Sequence, residues 1–342
     1  MISFRFHIVS LTAVMLALGI GLVLGTTFLD DATVNTLKNQ LSDLERSLDA
    51  AGDRNTRQQH QIDSYEQETA ALDEQLGERL FTNQLADVPV LVVATRGVDG
   101  DRVDEVTRAF RQANANLVGT WWLTDKLALD DDNQVADLGD ALQLSTDDTD
   151  RLRSNLAGQL GDVLFAASDA GRDDVQGLSR APAQTAEGEP AVMARLREGG
   201  FIDYQMPEGS DGDVIVLPAS GLRVVFVGGP GADLSPDQIV LPILIELASD
   251  GPVPAVAVEP SIEASSDGED PPPSLVVDIR EDDDLSHRIS TVDNLDRVSG
   301  VIATVLAVKD ADADPGPPVV GHYGLGDGTR LLPPSPEASE GG

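Results

Sequence analysis

One uncharged apolar run near the amino terminus constrains this chain more than any other feature. Residues 8–29 read IVSLTAVMLALGIGLVLGTTFL and contain no charged side chain. As an α-helix that rises about 1.5 Å per residue, the run is roughly 33 Å long, which matches the hydrocarbon thickness of a bilayer. The sequence therefore predicts one membrane-spanning helix.

A cleaved signal peptide and a buried core helix are the alternatives for this run. Signal peptides have an apolar region of about 7–15 residues that ends at a small-x-small cleavage site. This run is longer, and Val23-x-Gly25 fits such a site poorly. Arg5 precedes the run and Asp30 and Asp31 follow it, so the positive-inside rule predicts a cytoplasmic amino terminus and an extracytoplasmic remainder.

The negative charge of the chain limits its partners. With 59 acidic and 23 basic residues, the formal net charge is −36. Nucleic acid and anionic lipid headgroups would be repelled, so we expect neither as a partner. The chain contains no cysteine, which excludes disulfides and thiolate metal ligands.

A heptad repeat follows the predicted span. Its a and d positions are mostly apolar from Val34 onward, and this period of 3.5 residues predicts a coiled coil within residues 31–85. Asn55, at an a position, is the kind of buried polar residue that fixes register. We predict a homodimer or a pairing with another protein, and a single amphipathic helix folded back on its own domain is the alternative. The predicted seam consists of Val34, Leu37, Leu41, Leu44, Leu48, Asn55, Ile62, Tyr65, Leu72 and Leu76.

Beyond residue 85, short apolar runs alternate with helical segments. Residues 88–95 and 115–124 are predicted strands on either side of a helix at 99–114, which makes a βαβ unit. Fully apolar strands are typical of a parallel sheet covered on both faces, so we predict a doubly wound, mostly parallel α/β domain over residues 86–312. Further strands are predicted at 201–205, 213–218, 222–229, 253–259 and 288–293.

The sequence does not indicate catalysis. The run VVFVGGPGAD places glycines between a strand and a helix, but it lacks the G-x-G-x-x-G pattern and any lysine. With no cysteine, four histidines and no G-x-S-x-G elbow, nucleophile–base pairs are nearly excluded. We predict a non-enzymatic protein in which these glycines make a tight turn, and a small-ligand sensor at residues 228–231 is the alternative. The capping box that follows at residues 235–238 predicts a helix start.

The carboxyl-terminal segments resemble those of a known family. The segments RISTVDNLDRVSGVIATVLAVKDA (288–311) and GHYGLGDGTRLLPP (321–334), together with the opening of the chain and the strand VLVVATRGVD, are similar to the actinobacterial family named for mycobacterial copper-transport protein B. The resemblance covers essentially the whole chain in order. Its motif residues here are Ser290, Thr291, Asp293, Asn294, Leu295, His322, Tyr323, Gly324 and Gly326.

The resemblance implies copper efflux or homeostasis, with a channel in the mycobacterial outer membrane. A barrel in that membrane needs at least about eight strands of alternating polarity, whereas these predicted strands are apolar throughout. We therefore expect no pore formed by this chain alone. No cofactor is firmly predicted, because copper(I) prefers sulfur ligands. The candidate copper(II) site combines His287 or His322 with Asp282 and Asp284, and the alternative is a loop histidine and a hydrogen-bonded turn histidine.

The resemblance also implies a second role, in cell separation, where corynebacterial relatives act with a membrane-associated partner to control peptidoglycan hydrolysis. A non-enzymatic coiled-coil scaffold of the envelope is therefore the alternative function. The predicted organisation is a leader and anchor at 1–30, a coiled coil at 31–85, an extracytoplasmic α/β domain at 86–312, and the family's carboxyl-terminal motif with a disordered tail at 313–342.

Overall fold

A computed structural model describes most of the chain after residue 80, together with residues 6–25 and residue 41 before it. The described residues are 6–25, 41, 81–168, 184–185, 188–210, 212–261, 272–311, 318–326 and 328–334. The chain divides into two units, Met1–Leu72 and Asp73–Gly342, and each is described by itself.

The first unit contains the predicted apolar helix. Helix α1, Phe6–Gly25, is 20 residues long, none of it is buried within the protein, and it is long and apolar enough to cross a membrane. The Thr12 hydroxyl donates to the Ile8 carbonyl oxygen at 2.8 Å, so this polar group is satisfied within the helix. Leu41 is helical and exposed. The other seam residues lie outside the described residues, so the coiled coil stays a prediction.

The second unit is built on one seven-stranded sheet with the order β3-β2-β1-β4-β5-β6-β7. Only β3 is antiparallel to its neighbour, and every other pair in this sheet is parallel. The predicted mostly parallel α/β class is therefore confirmed. The strands are β1 Pro89–Thr95, β2 Asn116–Leu123, β3 Ile202–Gln205, β4 Arg223–Val227, β5 Ala255–Val258, β6 Ser290–Val292 and β7 His322–Tyr323.

Helices cover both faces of the sheet. On one face, α2 and α8 supply core side chains such as Phe110 and Val301. On the other face, α3 to α7 supply side chains such as Leu156 and Ile243. Because β4 and β5 are buried on both faces, they read as unbroken apolar runs. The helices are α2 Gly100–Gln112, α3 Asp132–Leu142, α4 Thr149–Ser168, α5 Ala191–Glu198, α6 Val240–Leu247, α7 Leu275–Glu281 and α8 Val298–Asp310.

One predicted strand is wrong. Residues 213–218 are not a strand, because β3 occupies the edge of β2 instead, with Gln205 beside Thr120. The apolar character of the segment serves a different contact. Ile215 is 1% exposed, and its Cδ1 would lie 2.5 Å from a Cβ added at Gly119, so it fills the space that this glycine leaves open.

Two further details differ from the sequence prediction. The capping box at Ser235 forms, but it opens a 3₁₀ turn, Pro236–Gln238, and α6 begins only at Val240. The sequence does not predict strand β7, because two residues within GHYG carry no periodic signal. It is this short strand that brings the carboxyl-terminal motif onto the sheet.

Candidate functional site

The motif residues of the two carboxyl-terminal segments meet at the β6–β7 edge of the sheet. In the parallel register, Thr291 pairs with His322 and Val292 pairs with Tyr323. Arg280, from α7, reaches across both strands. We call the side chains of Arg280, Thr291, Asp293 and His322, with the backbone of Tyr323, the β6–β7 lock.

Arg280 is the centre of the lock. Its Nη1 donates to Asp293 Oδ2 at 2.5 Å, its Nε donates to Thr291 Oγ1 at 2.8 Å, and its Nη2 donates to the Tyr323 carbonyl oxygen at 3.0 Å. The side chains of Arg280 and Asp293 are each 18% exposed. Such a fork of charge-assisted bonds fixes both strands against α7.

Asp293 holds the chain that follows β7. The backbone N–H of Leu325 donates to its Oδ1 at 2.7 Å, and that of Gly326 donates to its Oδ2 at 3.0 Å. Gly324 has φ +134°, and a Cβ there would collide with the Asp293 carboxylate. Glycine is therefore required at this position for both backbone conformation and space.

His322 completes the lock as a neutral imidazole. Its Nε2 lies 3.0 Å from the carbonyl oxygen of Ser286, which can only accept, so Nε2 carries the proton. Its Nδ1 lies 2.8 Å from Thr291 Oγ1 and accepts the hydroxyl proton. Burial, and the positive charge of Arg280, lower the pKa of His322 below its usual range. Both ring nitrogens are thus engaged inside the protein.

The remaining motif residues serve the same edge. The Ser290 hydroxyl accepts from the Gly321 backbone N–H at 3.2 Å. Asn294 is fully buried, and its Nδ2 donates to Ser299 Oγ at 3.0 Å. Leu295 is a core side chain whose backbone N–H donates to the Glu259 carbonyl oxygen at 2.9 Å. In this structure the motif attaches the last segment of the chain to the sheet.

The other predicted copper residues lie in the turn between α7 and β6. Asp282 Oδ1 accepts from the backbone N–H groups of Asp284 and Leu285, both at 2.9 Å. The exposed Asp284 carboxylate lies 3.6 Å from an Arg288 nitrogen. His287 Nδ1 lies 2.8 Å from the carbonyl oxygen of Asp283 and donates to it. Asp282, Asp284 and His287 therefore each make at least one contact within the turn.

The described residues do not fit a copper centre. Within the described ranges, no group of three or more His, Asp or Glu side chains could hold a metal ion. The sulfur ligands that copper(I) prefers are limited to methionine, since the sequence has no cysteine. Met193, a residue of α5, is fully buried in the core. The predicted combination of His287, His322 and the two aspartates stays a prediction that this geometry does not favour.

A small cleft lies where a ligand is expected in an open α/β sheet, at the carboxyl ends of β1 and β4. Its volume is about 140 Å³, and Thr95 and residues 228–231 line it. Ligand pockets are typically about 300–1,000 Å³, so this cleft is small for a nucleotide. Two close approaches account for the glycines: a Cβ at Gly228 would lie 2.6 Å from Glu259 Oε1, and one at Gly231 would lie 2.9 Å from the Gly97 carbonyl oxygen.

Sequence reasoning missed two charged residues that organise this region. Glu259 is 1% exposed and accepts from Ser274 Oγ and from the backbone N–H groups of Leu275 and Val276, which anchors the start of α7. Burial raises its pKa, and these three bonds oppose that rise. The sequence signal for Glu259 is a carboxylate residue directly after a buried strand. In the sequence, Arg280 stands out as a single basic residue within an acidic run.

Comparisons with known proteins show which family the chain resembles over its length. The protein-family model described as "Copper transport outer membrane protein, MctB" matches residues 1–334. A protein of Mycobacterium tuberculosis (strain ATCC 25618 / H37Rv) named "Copper transporter MctB" is 30% identical over 344 residues, which cover 97% of this chain and 99% of the relative. A protein of the same name from Mycobacterium leprae (strain TN) is 28% identical over 343 residues, with the same coverage of both chains.

Proposed function

The chain belongs to the family of the copper transport outer membrane protein MctB, and from this premise we propose that it acts in copper handling at the cell envelope as a membrane-anchored, non-enzymatic protein. In this proposal, α1 anchors the chain with its amino terminus in the cytoplasm. The α/β domain of the second unit lies on the extracytoplasmic side. Copper is the cargo of the system in which the protein acts, and the protein is not itself the pore.

The use of His322 is the observation that most supports an indirect role. His322 is the histidine among the motif residues of this chain. Both of its ring nitrogens form hydrogen bonds within the domain, with Thr291 and with Ser286. This supports a motif that stabilises the fold rather than one that holds a metal ion. The sheet, covered by helices on both faces, supports the same view, because its strands offer no lipid-facing side.

We further propose that the heptad segment after the anchor pairs with a second copy or with another envelope protein. This pairing would bring the α/β domain to the proteins that move copper. It is a proposal from the sequence pattern, since that segment lies outside the described residues.

Copper tolerance of cells that lack the chain tests this proposal. Wild type and the His287→Gln variant should restore growth in copper equally, because in this proposal the protein does not need His287 to bind copper. The Asp293→Asn variant should restore growth in copper less well than wild type, in proportion to the amount of folded domain that it loses. If His287→Gln abolishes tolerance while the protein remains folded and abundant, the chain binds copper itself and the proposal is wrong. If cells that lack the chain keep their copper tolerance but fail to separate, the result would instead support the scaffold alternative.

A further inference from the structure

A polar groove lies on the α2 side of the sheet, away from the β6–β7 lock. Four α2 residues at the spacing i, i+3, i+4 and i+7 share one face of the helix. Strand β2 and the chain after β3 complete the groove, whose volume is about 210 Å³. We call it the α2 groove, and it is lined by Asp104, Thr107, Arg108, Arg111, Leu117, Thr120, Gln205, Met206, Pro207 and Glu208.

Most charged groups of the α2 groove are paired across it. Arg111 Nη1 donates to Glu208 Oε2 at 2.5 Å. Gln205 Nε2 donates to Asp104 Oδ1 at 3.3 Å, and Gln205 Oε1 accepts from the indole N–H of Trp122 at 2.9 Å. These contacts connect the far side of the groove to α2.

Two groups that line the α2 groove have no such partner among the described residues. The Arg108 guanidinium forms no ion pair or hydrogen bond with them, in a chain where acidic residues greatly outnumber basic ones. Thr120 is only 2% exposed, and its hydroxyl forms no hydrogen bond with them either. The Thr120 hydroxyl is not among the enclosed side-chain atoms that lack a partner, so it is accessible from the groove and can bond to water or to a ligand there.

We propose that the α2 groove binds a small organic monocarboxylate. The planar fork of Arg108 matches a carboxylate, and the Thr120 hydroxyl donates to the same group. Leu117, Met206 and Pro207 contact a short apolar tail. The carboxylates of Asp104 and Glu208 disfavour a second negative charge on the ligand. The volume, below that of a typical drug-sized site, limits the tail to a few carbon atoms.

Ligand-observed saturation-transfer NMR on the full chain, in an uncharged detergent, tests the proposal. Butyrate, with one negative charge, is the probe. Succinate, with two negative charges, and butylammonium, with one positive charge, test whether the groove selects a single negative charge. Arg108→Gln should weaken butyrate binding about tenfold, because a charge-assisted bond is lost, and Thr120→Val should weaken it less. The matched control is Arg151→Gln, which changes an exposed arginine on α4 and should leave binding unchanged. Partition of butyrate into the micelle is the same in every variant, so the difference between variants isolates the groove.

Three results would overturn the proposal. The first is butyrate binding that is equal in wild type and Arg108→Gln, and the second is no butyrate signal in wild type. The third is binding of succinate or butylammonium as strong as that of butyrate, since it would contradict selection for a single negative charge. Because Arg108 is exposed on the helix surface, its replacement leaves the fold intact and each outcome is informative.

Discussion

Nη1 of Arg280 lies 2.5 Å from Oδ2 of Asp293, and this pair joins α7, the residues after β6 and the residues after β7. Arg280 belongs to α7, Asp293 follows β6, and the Asp293 carboxylate accepts the two backbone N–H groups that follow Gly324. The motif residues of the carboxyl-terminal segments are thus arranged around one partly buried ion pair. Its function in this chain is to attach β7 and the segment after it.

Loss of the Asp293 charge should loosen that segment. Asp293→Asn places an amide N–H against donors from Arg280 and Gly326, so we expect the free energy of unfolding to fall by about 2–4 kcal/mol. Denaturation followed by the fluorescence of Trp121 and Trp122, the two tryptophans of the chain, measures this change. Hydrogen exchange should also become faster at Leu325 and Gly326. Asp283→Asn, at an exposed carboxylate in the turn between α7 and β6, should change stability by less than about 0.5 kcal/mol.

The space beside Gly324 predicts a second stability difference. Gly324→Ala should destabilise by roughly 3 kcal/mol or more, because it combines an unfavourable φ of +134° with a collision with Asp293. Gly328→Ala is the matched control, since Gly328 also has positive φ (+78°) but no atom within 4 Å of an added Cβ. The control should cost only about 1 kcal/mol from backbone strain. Equal costs in both variants would mean that the contact with Asp293 is absent.

The neutral state of His322 makes stability depend on pH. Its pKa is lowered in the folded protein, so the folded state binds this proton less tightly than the unfolded chain. The stability that the neutral ring contributes is therefore complete above the unfolded pKa of about 6.5. It declines as pH falls from there through the folded pKa. Unfolding midpoints across this range should flatten in His322→Gln and keep their slope in His287→Gln.

Glu259 should be essential for the start of α7. Glu259→Ala leaves the Ser274 hydroxyl and two backbone N–H groups without their acceptor in a buried place, at an expected cost of about 3–5 kcal/mol. Glu281→Ala, on the exposed end of the same helix, should cost less than about 1 kcal/mol. A similar small loss in both variants would contradict the anchoring role of Glu259.

The membrane role of α1 predicts a change in fractionation. Leu16→Arg puts a charge in the middle of the helix, where insertion scales assign about 2.5–3.5 kcal/mol to arginine. The variant should therefore leave the membrane fraction under alkaline carbonate extraction. Leu325→Arg makes the same change at an exposed leucine of the α/β domain and should remain in the membrane fraction. Retention of Leu16→Arg in the membrane would show that α1 is not the anchor.

The parts of the fold that sequence reasoning predicted well are those with a local signal. Runs such as PVLVVAT and the adjacent helix carry their periodicity in consecutive residues, so β1, β2 and α2 were found nearly at their bounds. The sequence predicts a strand at 213–218 where the structure has none, because an apolar run alone does not show whether its residues pair in a sheet or fill a space beside Gly119. Only the assembled sheet shows that Ile215 does the latter.

The candidate site was harder to predict because its contacts join distant parts of the sequence. The motif residues were identified, but their roles depend on Arg280, which comes from another element. The sequence allows His322 as a metal ligand, because histidine is a residue type that binds metals. Which atoms face its two nitrogens is a property of the fold, since Thr291 and Ser286 are more than 30 positions away from it.

Copper bound per chain tests the central claim most directly. The full chain in an uncharged detergent is dialysed against micromolar copper, separately as copper(II) and as copper(I) under reducing conditions, and bound metal is measured by mass spectrometry. We predict copper far below one equivalent per chain, unchanged in His287→Gln. Copper bound at one or more equivalents and lost in His287→Gln, with the domain still folded by tryptophan fluorescence, would contradict the account.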